Sequence, residues 1–156
     1  MNTLNKSQNK TAPISKQRLR LWLKLLKASN LIEDEIRRRL RSEMDWTLPR
    51  FDVMSALARA PQGMKMSDIS KLLRVSNGNI TGIVDKLTEE GLALRVAVPG
   101  DRRANQVRLT PKGISVFKTH AEAHEKWVNE MLGELSADDI DGMILRLDHL
   151  TECLEE

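Results

Sequence analysis

A mainly helical chain with one small β-hairpin set among the helices is what this sequence predicts, and three observations predict it. Two long terminal stretches, residues 16–43 and 111–154, carry apolar residues at helical spacing. Between them lie two short helical periods separated by a tight turn. Directly after the second, the period changes to two and is then broken by Pro99-Gly100-Asp101.

The elements follow in order. Residues 1–15 are rich in Asn, Lys, Ser and Thr, include Pro13, and show no apolar period, so they are expected to form a disordered basic arm. From Lys16 to about Glu43 the residues Trp22, Leu25, Leu26, Ile32, Ile36 and Leu40 keep helical spacing with no Gly or Pro between them, which predicts one long helix. Thr47-Leu48-Pro49 stops it. A second helix is expected over Arg50–Arg59 with Phe51, Met54, Leu57 and Ala58 buried, ended by Pro61-Gln62-Gly63. Ser67 is the expected cap of a short helix to Arg74 whose buried side is Ile69, Leu72 and Leu73. Ser76 then caps a helix with Ile80, Ile83, Val84 and Leu87 at i, i+3, i+4 and i+7, closed by Gly91 in the left-handed region.

Two short helices across a tight turn make a helix-turn-helix. The alternating runs Leu92–Val98 and Gln106–Leu109 that follow make the hairpin its wing. Thr110-Pro111 restarts helix, and Ile114, Phe117, Ala121, His124, Val128, Met131 and Leu135 form a seven-residue seam suited to a partner helix. Ser136 and Asp139 read as a capping pair before a last helix with Ile140, Met143, Ile144, Leu147, Leu150 and Leu154 inward. The organisation expected is one domain over 16–156, with helical regions at 16–49 and 111–156 around a winged lobe at 50–110.

Composition narrows the function. At 156 residues, 40% hydrophobic and 30% charged, the chain suits one folded globular domain. No run approaches the roughly 18 apolar residues a bilayer span needs, and Leu19–Leu26 is interrupted by Arg20 and Lys24, so no membrane partner is expected. The N-terminus lacks the apolar core of a secretory signal, so a cytoplasmic location is expected. Cys153 sits among Glu152, Glu155 and Glu156, whose charge disfavours a thiolate, and an inert thiol is the simpler reading beside a redox one. With three histidines, one cysteine and no Gly-rich phosphate loop or nucleophile elbow, no catalytic residue, metal site or cofactor is expected. Charge, in contrast, is unevenly spread: residues 1–119 hold 23 Lys or Arg against 11 Asp or Glu, and residues 120–156 hold 2 against 11. One end therefore suits a polyanion, the other solvent or a partner.

The helix-turn-helix tells which polyanion. The N-terminal residues of a helix reach base edges in the major groove of duplex DNA. Here they are Ser76, Asn77, Gly78, Asn79 and Thr81: Asn pairs with adenine, Ser and Thr contact bases or phosphate, and Gly78 removes bulk. The same polar start could serve only as a capped, exposed helix end. At the hairpin tip Arg102 and Arg103 suit a narrow minor groove, with Arg103 in part tied to Asp101 or another acid, and a solvated turn is the plainer alternative. Lys65, Arg74, Lys86 and Arg95 are candidates for phosphate contacts.

These features resemble the MarR family of bacterial transcription regulators. The resemblance rests on the helix-turn-helix Ser67–Gly91, on Thr81-Gly82-Ile83-Val84-Asp85-Lys86-Leu87 leading to Glu90-Gly91-Leu92, and above all on Pro99-Gly100-Asp101-Arg102-Arg103-Ala104 before Val107-Arg108-Leu109-Thr110-Pro111-Lys112-Gly113. It covers about Lys16–Leu154. It implies a homodimer whose first and last two helices interlock, reading a palindromic operator in double-stranded DNA. It also implies, typically, repression relieved by a phenolic or aromatic-acid effector bound between the dimer helices and a wing lobe.

Candidates for an effector pocket are Trp22, Trp46, Phe51, Met54, His120 and His124, each equally readable as core. Arg18 and Arg20, with Lys24 and Lys27, could hold an aromatic acid or an acyl-CoA, or could meet the acidic C-terminal helices of a second subunit. A winged-helix adaptor that binds protein and never DNA is the rival to a regulator.

Overall fold

The structure, a computed structural model, describes residues 12–156, with the side chains of residues 101–104 outside that description. The basic arm lies outside it up to residue 11. Helix α1 spans Ile14–Arg39 and so begins two residues before the expected start. It runs on into a π-helical turn, Leu40–Met44, and stops at Asp45, a non-glycine residue in the left-handed region at φ 55°. Its C-terminal half carries an ion-pair ladder. Glu35 accepts from Arg38 at 2.6 Å and from Arg39 at 2.9 Å, and the two guanidiniums hold its carboxyl down to about 2. Helix α2 follows at Leu48–Ala58, two residues earlier than expected, with the backbone N–H of Arg50 donating to the Thr47 hydroxyl at 3.3 Å.

Two compact units divide at Val53/Met54. In the first, Leu40 is fully buried, Ile36, Trp46 and Phe51 are buried, and the Arg50 guanidinium lies 4.7 Å from the Trp46 ring centre in a cation–π contact. The N-terminal part of α1 is different: Ile14, Leu19, Trp22, Leu23 and Leu26 are exposed, so the expected stripe is buried in this chain only near its C-terminal end.

The second unit holds the winged helix. Strand β1 is Met64–Lys65, helix α3 Met66–Leu73, helix α4 Asn77–Glu89, strand β2 Ala93–Val98, strand β3 Asp101–Leu109, helix α5 Pro111–Met131 and helix α6 Ala137–Glu155. The strands make an antiparallel sheet in the order β1-β3-β2. Strand β1 was not expected; it adds a third strand by pairing Met64 with Val107 and Lys65 with Gln106. The α3 cap position falls on Lys65 with no side-chain bond, so Ser67 lies inside the first turn and does not cap it. Leu72 is exposed, a second departure from the expected stripe, while Ile69, Ile80, Val84 and Leu87 are fully buried beneath the helix-turn-helix.

Local chemistry explains the turns. Arg74 ends α3 at φ 53°, and the Ser70 hydroxyl donates to the Val75 carbonyl while the Val75 N–H returns to Ser70 at 3.1 Å. A left-handed arginine costs backbone energy that glycine does not, although glycine loses more chain entropy on folding. Arg74→Gly is expected to stabilise the fold by about 0.5–1 kcal/mol, a rise of a few degrees in thermal melting, while weakening any phosphate contact the side chain makes. A lower melting temperature would show that the arginine stem packs instead.

Gly91 closes α4 at φ 72°: its N–H bonds the Thr88 carbonyl at 3.1 Å and the Leu92 N–H bonds the Leu87 carbonyl at 2.9 Å, with both leucines buried. At the α5 start Thr110 accepts from the Gly113 N–H at 3.0 Å, as its sequence position requires. Ser136 and Asp139 form the reciprocal capping box. Two expectations for the last helices fail in the single chain. Helix α5 stops at Met131, which leaves Leu135 beyond it, and Trp127, off the expected seam, is its buried aromatic residue. The α6 residues Ile140, Met143, Ile144, Leu147, Leu150 and Leu154 all face solvent, between 37% and 77% exposed.

Candidate nucleic-acid interface

Helix α4 presents its polar start outward. Ser76, Asn77, Gly78, Asn79, Thr81 and Gly82 are all exposed, with Ile80 beneath them wholly buried. Two hydroxyls are partly committed: Ser76 accepts from the Asn79 N–H at 3.3 Å, and Thr81 donates to the Asn77 carbonyl at 2.9 Å. Thr81 therefore offers an acceptor outward, and the amides of Asn77 and Asn79 carry the richer hydrogen-bonding pattern for base edges.

The wing is rooted where α4 ends. The Thr110 N–H bonds the Leu92 carbonyl at 3.0 Å, the Thr110 hydroxyl donates to Gly91 at 2.6 Å, and the Lys112 ammonium donates to the Glu90 carbonyl at 3.2 Å. Orphan carbonyls at the α4 terminus are thus met by the first residues around α5, and the lysine also complements the negative end of the helix dipole. Midway along α4, Asp85 pairs with Arg95 of β2 at 2.5 Å. Reading helix, wing strand and α5 are tied together at several points. An exposed pair of this kind contributes little to stability, but it fixes the direction of a side chain.

Arg95 consequently has a carboxylate partner already, which lowers its value as a phosphate contact relative to Lys65, Arg74 and Lys86, all exposed. Gln106 and Arg108 flank the buried Val107 on β3. The tip is a Pro99-Gly100 turn, with Gly100 at φ 85° fitting the second central place of a type II turn. Ala97 pairs with Asn105 but Val98 with Asp101, so Arg102, Arg103 and Ala104 bulge from the ladder. Their side chains, and the proposed Arg103–Asp101 pairing, lie outside the described residues. Sequence reasoning missed Gly82, whose added Cβ would meet nothing within 4 Å, and Asp85, whose partner is ten residues away.

The effector candidates are divided between the two units. Arg18, Arg20, Trp22, Trp46 and Phe51 belong to the first unit and Met54, His120 and His124 to the second. Trp22 is exposed, while Phe51 and Met54 are core. Arg20 borders a small cleft with Gln17, Leu21 and Lys24. Trp46 borders a cleft of about 520 Å³ with Arg37, Arg38 and Arg41, but these already face Glu33 and Asp34, Glu35, and Asp45. Burial holds the His124 imidazole below its ordinary range, which favours the neutral ring at pH 7. Among the described residues no cluster of His, Cys, Asp or Glu could hold a metal ion, and no helix is long and apolar enough to cross a membrane.

Comparison with known proteins agrees with this geometry. Residues 44–104 match the sequence profile of the MarR family. A MarR family transcriptional regulator from Silicibacter pomeroyi is 30% identical, with 92% of this chain and 99% of that one covered and a TM-score of 0.75. FabT of Streptococcus pneumoniae, solved in complex with DNA, is 26% identical over 90% of this chain and 97% of that one, with a TM-score of 0.68. The transcriptional activatory protein BadR of Rhodopseudomonas palustris (strain ATCC BAA-98 / CGA009) is 28% identical over 78% of this chain and 70% of that one. With a winged helix-turn-helix that turns its polar helix outward beside a hairpin, and relatives that are regulators and not enzymes, the chain belongs to the MarR family of DNA-binding transcription regulators.

Proposed function

We propose that this protein is a cytoplasmic homodimeric repressor that grips an inverted-repeat operator with two copies of α4 and the wing, and releases it when a small, mostly apolar effector binds. The observation that carries the reading is the exposed polar start of α4, rooted in the same joint as the hairpin. The site residues are Ser76, Asn77, Asn79 and Thr81 toward bases, Arg102 and Arg103 toward the minor groove, and Lys65, Arg74 and Lys86 toward phosphate.

The uncovered apolar faces support the dimer. Residues 14–32 carry Lys16, Arg18, Arg20, Lys24 and Lys27 with no acid, and α6 carries Asp138, Asp139, Asp141, Asp148, Glu152 and Glu155 against Arg146 alone. Both helices expose apolar stripes. A two-fold arrangement that sets α1 of one subunit against the acidic helix of its partner covers both faces and neutralises both charges. Half-sites about one helical turn apart, roughly 10 base pairs, follow from such symmetry. A dimer over that length of duplex represses by occlusion. BadR is named for activation, so the sign is read with a promoter reporter in cells lacking the protein: expression should rise, and a fall would make it an activator.

Binding itself is tested by fluorescence anisotropy on a palindromic fragment across a salt series. Affinity should fall by a factor of about 10³ or more between 50 and 200 mM salt if some six phosphates are contacted. A flat response would transfer the surface to a protein partner.

A further inference from the structure

The sequence holds one Asn-Gly pair, Asn77-Gly78, and it forms the first two residues of α4. We infer that Asn77 is a site of spontaneous deamidation, a charge-changing modification that weakens the reading helix for DNA. The chemical conversion depends only on the chain itself; its effect on DNA binding rests on the function proposed above.

The reaction is intramolecular. The Gly78 backbone nitrogen gives its proton to a solvent base and attacks the side-chain carbonyl carbon of Asn77, Cγ. The Cγ–Nδ2 bond breaks, ammonia leaves and a succinimide ring closes. Water then opens the ring: attack at the Asn77 main-chain carbonyl leaves isoaspartate, and attack at Cγ leaves aspartate. In either case amide plus water becomes carboxylate plus ammonium, with no change of oxidation state.

Local structure favours the reaction at this place. Asn77 is exposed, and a Cβ added to Gly78 would meet nothing within 4 Å, so no side chain shields the attacking nitrogen. The Gly78 N–H is also one of the orphan donors of a helix start. The cap is spent on later residues: the Ser76 hydroxyl accepts from the Asn79 N–H at 3.3 Å and the Ser76 carbonyl from the Ile80 N–H at 3.2 Å. Rotating the Asn77 backbone to bring Cγ onto the Gly78 nitrogen frays one terminal residue, opposed by the bonds its carbonyl accepts, among them one from the Thr81 hydroxyl at 2.9 Å. The other asparagines of the described residues are less well placed. Asn30 and Asn129 lie inside α1 and α5, Asn79 precedes the wholly buried, β-branched Ile80, and Asn105 is held in the ladder opposite Ala97.

The product changes what α4 can read. The Asn77 amide offers a donor and an acceptor to a base edge, whereas a carboxylate offers acceptors only and sets negative charge against the phosphates. The same charge suits the helix, whose N-terminus is the positive end of its dipole. Conversion to aspartate therefore lowers DNA affinity and leaves the fold intact.

The test incubates the full-length protein in mildly alkaline buffer, with and without the operator fragment, and follows each asparagine by peptide mass spectrometry with fragmentation. Asn77 should shift to the mass of the acid at least tenfold faster than Asn30, Asn105 or Asn129, and Gly78→Ala should slow the shift at least tenfold. Conversion no faster at Asn77 than at those three, or a rate unchanged in Gly78→Ala, overturns the inference. Bound operator should slow the reaction by covering Asn77, and Asn77→Asp should lose at least tenfold in operator affinity by anisotropy while melting no lower than the parent. A rate indifferent to bound operator, or full affinity in Asn77→Asp, overturns the regulatory role and takes Asn77 out of the base-reading set. A protein that never binds DNA fails the functional reading, while mass spectrometry still decides the modification site.

Discussion

Gly113→Ala should destabilise this protein by about 3 kcal/mol, the scale of a forced overpacking, and lower its melting temperature by roughly 10 °C. A Cβ built on Gly113 would lie 1.9 Å from the Leu92 carbonyl oxygen, and no side-chain rotation can relieve a clash with backbone. That oxygen is also the acceptor for the Thr110 N–H at 3.0 Å. The first turn of α5 and the link between α4 and β2 touch backbone to backbone here, which only a residue without a side chain permits. Any accommodation must part α5 from the wing root. DNA affinity should therefore fall along with stability, since the same joint aims the reading helix. Circular dichroism melts of the variant and parent decide it: melting within a degree or two of the parent would mean that the helix and strand are not in contact as described.

How much of this was legible beforehand depends on the range of the interaction. The Thr110 and Ser136 caps, the Gly91 closure and the hairpin are all determined within a few residues, and each is found where its sequence signal lies. Strand β1 was invisible because two residues have no period, and its partner Val107 is more than forty positions away. The Ser67 cap failed because the extended backbone of that short strand runs into α3 at Lys65. Gly113 was visible only as part of a recurring motif; its physical reason is a carbonyl twenty-one residues earlier. Aromatic type alone could not tell that Arg50 lies over the Trp46 ring, nor that Leu57, Leu109 and Ala121 line one cavity, because no local pattern joins residues so far apart in sequence.

Helix α4 itself gives the sharpest test of DNA reading, because two of its thirteen residues are glycines that the fold does not require. An added Cβ at Gly78 or at Gly82 would meet nothing within 4 Å, and neither has positive φ. Glycine in an exposed helix interior costs about 1 kcal/mol relative to alanine, so Gly82→Ala should raise the melting temperature by a few degrees, and Gly78→Ala, in the first turn, by somewhat less. Spaced four apart, the two sit on one side of the helix beside Asn77 and Thr81. If that side enters the major groove, each new methyl occupies space the duplex needs, and operator affinity should drop at least tenfold, about 1.4 kcal/mol, while stability rises. Opposite signs in two assays on one variant cannot come from partial unfolding. Stabilised proteins that keep full affinity would place the reading surface elsewhere and take the assignment of Asn77 and Asn79 with it.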